Sequence, residues 1–294
     1  MYPLQVVAPS GLGPAQDGSQ DSRLVELWLV TKASRHTRRA YAADAARFLR
    51  FVQKPLCRVT LADFQAWAAA LGQGSLKPAS RNRSLTAIKS LLSFAQATGY
   101  LPFNVGAAVK LLPDRDSLAQ RILDEGEVAR LIEAAPAGRN RVLLKLLYAT
   151  GARVSELCGL KWGDAMPRAE GGQLTLFGKG GKTRTVLLKP GLWDLLLSIR
   201  ARSTAADPVF PGRKAGTALD PSQVRRIVYA AAHRAGLGRK ISPHWMRHAH
   251  ASHALDRKAP IHLVQATLGH ASVSTTGRYL HARPTDSSSF YLPD

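Results

Sequence analysis

Hydrophobic positions recur every three or four residues through the first third of the chain, the period of an amphipathic helix. Tyr41, Ala45, Phe48 and Val52 keep that spacing, as do Leu85, Ile88, Leu91, Leu92 and Ala95. Turn chemistry at GQGSLKP (72–78) and at Thr98-Gly99 breaks the pattern, dividing residues 22 to about 110 into four or five short helices. Residues 1–20 are rich in Gly, Pro, Ser and Gln without periodicity, and read as a flexible arm.

The helical pattern stops at KLLPDRDSLAQR (110–121), where Pro113 and a charge cluster mark a linker after a first domain over 21–109. Asp124 followed by Glu127 then makes a capping box ahead of Val128, Leu131 and Ile132. Further helices are expected over 140–149, 191–201, 221–235, 243–257 and 260–268, with a shorter one leading to Tyr279. Between them, QLTLFGKGGKTRTVLL (173–188) alternates like two strands around a glycine-rich turn, a β-hairpin. The fold class is therefore mainly α with a small β-sheet: a helical N-terminal domain, then a larger α+β domain over 122–283 and a tail over 284–294. No internal repeat or heptad run interrupts this order.

Lys and Arg number 41 against 20 Asp and Glu, a net +21 over 294 residues. Such an excess points to a polyanion, with double-stranded DNA or RNA ahead of a membrane surface. No apolar run approaches the ~20 residues of a membrane span, and the start MYPLQVVAPSGLG lacks the basic-then-apolar order of a signal peptide. Cys57 and Cys158 show no metal spacing, so a reducing cytoplasm is the expected compartment and no membrane the expected partner.

HWMRHAHASHAL (244–255) gathers four of the nine histidines. His244 and His248 stand four apart on one helical face, a workable metal spacing. Trp245, however, occupies the place where a zinc-protease helix needs glutamate, and Arg247 would oppose a dication. No metal is expected. An anion fits instead: Ser242 is a good N-cap, Pro243 suits the first helical position, and His244 with Arg247 falls in the first turn. Backbone N–H groups and the helix dipole favour an anion there. His248, His250 and His253 are expected to pack or to lie on the surface.

Other residues of the same chemistry follow in order. Arg153 stands after a glycine at the start of a helical turn, with Glu156 three residues on to brace it. Lys179 sits on the hairpin turn, His270 in LGH, and Tyr279 nine residues later. Taken one at a time these are a surface arginine, a turn lysine and a buried tyrosine.

Taken in order, ATGARVSEL, GKGGKTR, PHWMRH, LGH and TTGRYLH resemble the tyrosine recombinases, the phage integrase family, and among them the Xer-like and plasmid- or transposon-borne integrases of mobile elements. RHTRRAYAADAARFLRF and SRNRSLTAIKSLLSFAQATGYLPFN are similar to the core-binding domain of that family. The resemblance covers about 22–283. Asn104-Val105 departs from the Asn-Pro common there, a change in a linker turn.

The resemblance implies a SAM-like core-binding domain, a tyrosine-recombinase catalytic domain and a specific set of roles. Tyr279 would attack a scissile phosphodiester to form a 3′-phosphotyrosyl bond, which conserves the bond energy without ATP, metal or any cofactor. Arg153 and Arg247 would grip the non-bridging oxygens, and His244 and His270 would hydrogen-bond the phosphate, His244 also taking the tyrosine proton. Lys179 would protonate the leaving 5′-oxygen, with Lys182 the rival, and Glu156 would orient Arg153. It further implies a homotetramer on paired DNA sites, a Holliday junction, and accessory or partner recombinases. A type IB topoisomerase shares the chemistry and is the alternative activity. A catalytically silent DNA-binding protein would share the charge, but should have lost some of the six residues.

Arg35, Arg38 and Arg39 open a helix whose dipole their charge opposes, which points to phosphate contact. Lys77, Arg81, Arg83 and Lys89 surround the start of the 80–97 helix, which in the family enters the major groove. After Tyr279 come 15 residues ending in SSSFYLPD. Phe290, Tyr291 and Leu292 there form an apolar cluster expected to dock on a neighbouring subunit.

Overall fold

The computed structural model describes residues 18–111, 118–178, 181–214 and 216–282. Two compact units divide the chain between residues 115 and 116. Among the described residues, no helix is long and apolar enough to cross a membrane.

Four α-helices build the first unit: α1 Gly18–Val30, α2 Arg35–Val52, α3 Leu61–Gln73 and α4 Pro78–Ala97. Local chemistry fixes their ends. Ser34 accepts from the Thr37 N–H at the start of α2, while Thr60 and Asp63 form a reciprocal capping box on α3. Pro78 opens α4 at a position where no N–H is needed. The apolar stripes meet around Trp28, Phe48, Phe64 and Trp67, with Phe48 edge-on to Phe64 at 5.9 Å. Buried Asp21 joins distant segments, accepting from the Leu56 N–H at 2.9 Å and the Tyr100 hydroxyl at 2.7 Å. At the unexpected Asn104-Val105, the Asn104 side chain accepts from the Gly106 N–H at 2.9 Å and opens a 3-10 turn, Val105–Ala108. Asparagine thus supplies the turn without a following proline.

The second unit runs α5 Glu125–Glu133, α6 Arg139–Thr150, α7 Val154–Cys158, a three-stranded sheet, then α8 Pro190–Leu197, α9 Pro221–Arg234, α10 Pro243–Asp256, α11 Ile261–Leu268 and α12 Val273–Ala282. The capping box of Asp124 and Glu127 is formed in both directions. In the sheet, β1 Ala165–Pro167, β2 Gly172–Phe177 and β3 Thr183–Leu188 pair antiparallel in that order. Leu174 lies opposite Val186, and both are buried with Leu176 and Leu188. The expected hairpin is β2–β3. Strand β1 and helix α7 are additions, three and five residues long, too short to carry a period. α8 stops four residues before the expected end at 201, and Ala201 there adopts a left-handed φ of 47°. The main core collects α6, α9, α10 and the sheet; a second, smaller cluster joins Leu118, Ile122, Ala251, Val264, Leu268 and Tyr279. Cys57 is exposed and Cys158 buried, both as free thiols.

Candidate active site

Four chain segments meet at one end of the second unit, and Arg247 ties two of them. It lies on α10, 5% exposed, and donates to the carbonyl oxygens of Gly151 and of Leu268, the latter at 2.6 Å. Those carbonyls terminate α6 and α11, so one guanidinium holds the residues just before Arg153 and just before His270. Gly151 makes the approach possible: at φ +57°, a Cβ there would lie 2.6 Å from Leu268 and 2.8 Å from His250. Burial, then the neighbouring Arg153 and Arg184, lowers the Arg247 pKa to about 10, still charged at neutral pH.

Arg153 is the N-cap of α7 and remains partly exposed. Its Nη1 donates to Glu156 Oε1 at 2.9 Å, its backbone N–H to Oε2 at 2.7 Å, and its Nη2 to the Gly269 carbonyl at 3.4 Å. The expected brace is present, and it is doubled. Arg184 of β3 donates to both oxygens of Glu156, at 2.8 and 2.7 Å, and to the Thr267 carbonyl at 2.6 Å. Burial alone would push the Glu156 pKa up; the bonds from Arg184 and the Arg153 N–H outweigh it and hold the carboxyl below its ordinary range. Arg184 escaped the sequence reading. Its signal was parity: it shares the inward face of β3 with Val186 and Leu188, where an arginine needs a partner.

Arg153, Lys182, Arg184, Gly269 and His270 line one cleft. His270 Nδ1 pairs with the buried Thr276 hydroxyl at 2.8 Å, which leaves Nε2 as the ring atom open to a ligand. Desolvation, then Arg247, Arg153 and Arg184, lowers its pKa to about 4. His244 is exposed in the first turn of α10. Crowding by protein atoms, then Arg247, Arg153 and Arg225, holds it below its ordinary value too. Ser242 takes the expected N-cap position without a side-chain bond to the helix.

Tyr279 on α12 is 6% exposed, and its hydroxyl pairs with His248 Nδ1 at 2.8 Å. Here the histidine expectation needs correction: His248 is neither surface nor simple packing. It lies one helical turn after His244, and that spacing turns it toward α12. His250 and His253 do pack, on the carbonyl and the hydroxyl of Tyr148 at 2.8 and 2.9 Å.

Lys179, and the tail residues Phe290, Tyr291 and Leu292, lie outside the described residues. Lys182 is exposed, and its carbonyl accepts from the Gly178 N–H at 2.7 Å across the hairpin turn. In the first unit, Arg35, Arg38, Arg39 and Lys77 are exposed, with Arg38 also donating to the Lys32 carbonyl at 2.6 Å. The others carry structural bonds. Arg83 clasps the fully buried Asp44 at 2.9 and 3.1 Å, Arg81 donates to the Leu76 and Gly74 carbonyls at 2.6 and 3.0 Å, and Lys89 reaches the Val109 carbonyl.

Three guanidinium groups, two histidines and one carboxylate thus gather near a buried tyrosine. The family described as "Phage integrase family" matches residues 121–286, and its "Phage integrase, N-terminal SAM-like domain" matches 24–99. The chain belongs to the phage integrase family.

Its members are tyrosine recombinases, enzymes that cleave and rejoin DNA. This recombinase is 32% identical to tyrosine recombinase XerC of Xanthomonas campestris pv. campestris, over 92% of the chain and 86% of that protein. It is 33% identical to XerC of Xylella fastidiosa, over 88% of the chain and 92% of the relative. The fold matches XerH bound to its difH substrate with a TM-score of 0.70 and 23% identity, over 92% of the chain and 82% of that one. It matches a lambda integrase tetramer bound to a Holliday junction with 0.71 and 19%, over 92% and 78%.

Proposed function

We propose that this recombinase is site-specific, exchanging strands between two DNA duplexes through a 3′-phosphotyrosyl intermediate and a Holliday junction. The observation that carries the reading is the convergence of Arg153 and Arg184 on Glu156, with Arg247 within electrostatic reach of that carboxylate and of Tyr279. One carboxylate against three guanidiniums leaves the cleft short of negative charge, which a phosphodiester supplies.

Phosphoryl transfer asks of a protein mainly a nucleophile, positioning and charge stabilisation. Tyr279 Oη attacks phosphorus; the P–O5′ bond breaks and the 5′-oxygen leaves as a hydroxyl. Arg153 and Arg247 hold the non-bridging oxygens, with Glu156 fixing the Arg153 fork. His270, fixed by Thr276, and His244 in the first turn of α10 donate to the same phosphate. Lys179 protonates the leaving oxygen, with Lys182, on the cleft wall, as the second candidate. Neither ATP nor a metal enters the balance. Arg35, Arg38, Arg39 and Lys77 on exposed surface contact phosphates; Arg81, Arg83 and Lys89 serve the same interface through the helix they steady. The working unit is a homotetramer on paired duplexes, assembled with a partner recombinase or alone, in the cytoplasm. The solved relatives bound to substrate DNA and to a Holliday junction support this arrangement.

Selection of bound duplexes from a randomised pool, followed by a plasmid carrying two copies of the selected site, tests the reading. Exchange between the copies is expected; relaxation of supercoils without exchange would replace it with a topoisomerase activity.

A further inference from the structure

We propose that His248 accepts the proton of the Tyr279 hydroxyl during cleavage and returns it during rejoining. The assignment rests on the recombinase reading and moves the proton-accepting role from His244 to the next residue on the same face.

Geometry carries the proposal. Nδ1 of His248 lies 2.8 Å from Tyr279 Oη, and the two rings stand 5.8 Å apart. That is hydrogen-bond reach for direct transfer, without an intervening water. Tyr279 sits in the apolar cluster of Ile122, Ala251, Val264 and Leu268, so bulk water has poor access to its proton. A buried hydroxyl that must become a nucleophile needs an acceptor inside the fold. His244 stands beside His248, ring centres 6.5 Å apart, and is exposed in the first turn of α10. The i, i+4 pair thus divides two tasks along one face of α10.

The step balances. As the Oη–P bond forms and the P–O5′ bond breaks, the hydroxyl proton moves to the Nδ1 lone pair, and the leaving 5′-oxygen takes a separate proton from a lysine. On rejoining, the 5′-hydroxyl returns its proton to the lysine and attacks phosphorus, the P–Oη bond breaks, and the imidazolium protonates Oη.

The surroundings also explain why the resting chain does not ionise its tyrosine. His248 faces His244 and Arg247 on its own helix, Arg121 before α5, and Tyr279 and Arg278 on α12. Burial first, then those cations, hold its pKa at about 4, while burial pushes Tyr279 up. A neutral imidazole holding a neutral phenol is a safe resting pair. A DNA phosphate laid against Arg247 and Arg278 offsets their charge and raises the basicity of His248, so the base becomes competent when substrate arrives.

Single-turnover cleavage of a nicked duplex carrying the selected site, followed across pH, is the test. His248→Asn keeps an acceptor atom near the Nδ1 position but cannot carry the proton. Its cleavage should fall roughly 100-fold or more and lose the histidine limb of the pH profile, with DNA binding unchanged. A ring-fluorinated tyrosine at 279, whose proton leaves more readily, should restore much of the loss. His248→Asn cleaving at the wild-type rate with the same pH profile, or His244→Asn removing the limb instead, would overturn the assignment. Should His248→Asn fail to fold, fluorinated Tyr279 in the otherwise unchanged chain decides the matter. A limb that stays in place, and that His244→Asn does not remove, reports His248 as the acceptor; a limb that moves down with the phenol reports ionisation to water and removes His248 from the step. A wild-type chain that forms no adduct on Tyr279 overturns the functional reading itself, a result visible before any His248 variant is made.

Discussion

Glu156 and Arg184 face each other in a paired ion bridge, 2.8 and 2.7 Å long, across 28 residues of chain between α7 and β3. Because Arg153 shares the same carboxylate, this bridge connects Arg153 to the β2–β3 hairpin. Through the Thr267 carbonyl it also reaches the turn before His270. Glu156 therefore sets the spacing of three segments at once, more than the brace on Arg153 that its sequence position suggests.

Arg184→Gln leaves Glu156 buried with half its partners. The variant should lose about 3 kcal/mol of stability, measured as a lower denaturant midpoint with an unchanged slope. Cleavage should fall further than stability alone accounts for, since both Arg153 and the hairpin loosen. An Arg184→Gln protein with wild-type midpoint would show that the bridge carries no net stability.

Stability should decline as pH is lowered from 7 to 5. His248, His250 and His270 are each held to about 4, first by burial. The unfolded chain takes up their protons near the ordinary 6.5, which the folded chain resists. Their contribution is fully present above that value and is lost as pH falls toward the folded one. Chemical denaturation at a series of pH values measures it, and DNA should reduce the decline by stabilising the charged rings. Glu156 acts lower on the scale: its depressed pKa adds stability above the ordinary carboxyl value that disappears as pH falls through the folded one.

Arg39 and Arg83 should separate binding from folding. Arg39 is exposed on α2, and Arg39→Gln should weaken DNA binding at all sequences and lower the salt slope by about one, with no change in stability. Arg83→Gln strips a bidentate partner from buried Asp44, leaving Arg47 at 3.3 Å, and should lower the denaturant midpoint. Salt titrations beside denaturation curves tell the two apart.

Much of this was legible in advance, and the exceptions have physical causes. Long amphipathic periods placed α2, α4, α5, α9 and α10, and the alternation of 173–188 placed the hairpin, since burial of one face dictates each pattern. The order of Arg153, His244, Arg247, His270 and Tyr279 pointed to the site before its geometry was known. What escaped are pairings between distant segments: Asp21 with Leu56 and Tyr100, Asp44 with Arg83, Glu156 with Arg184, His248 with Tyr279. A one-dimensional period shows that a side chain faces inward; it does not show which polar group waits there. The basic residues around α4 looked alike in sequence, and only packing separates Lys77, exposed, from Arg83, clasped to Asp44.

Cleavage should persist in EDTA. His244 and His248, a histidine pair with metal spacing, have Arg247 between them, and His248 is hydrogen-bonded to Tyr279. Among the described residues, no cluster of three metal-ligating side chains occurs. Loss of cleavage in chelator, restored by zinc, would require a metal in the reaction.

Tyr279→Phe on a nicked substrate tests directly whether Tyr279 forms the bond to DNA. The substitution removes one oxygen from a buried ring and leaves Arg153, Arg184 and Arg247 in place. Wild-type protein should become covalently joined to the 3′-phosphate through the peptide containing Tyr279. The Phe variant should bind the same DNA with equal affinity and form no adduct. A covalent adduct retained by Tyr279→Phe, or mapped in the wild type to Tyr291, would contradict that role.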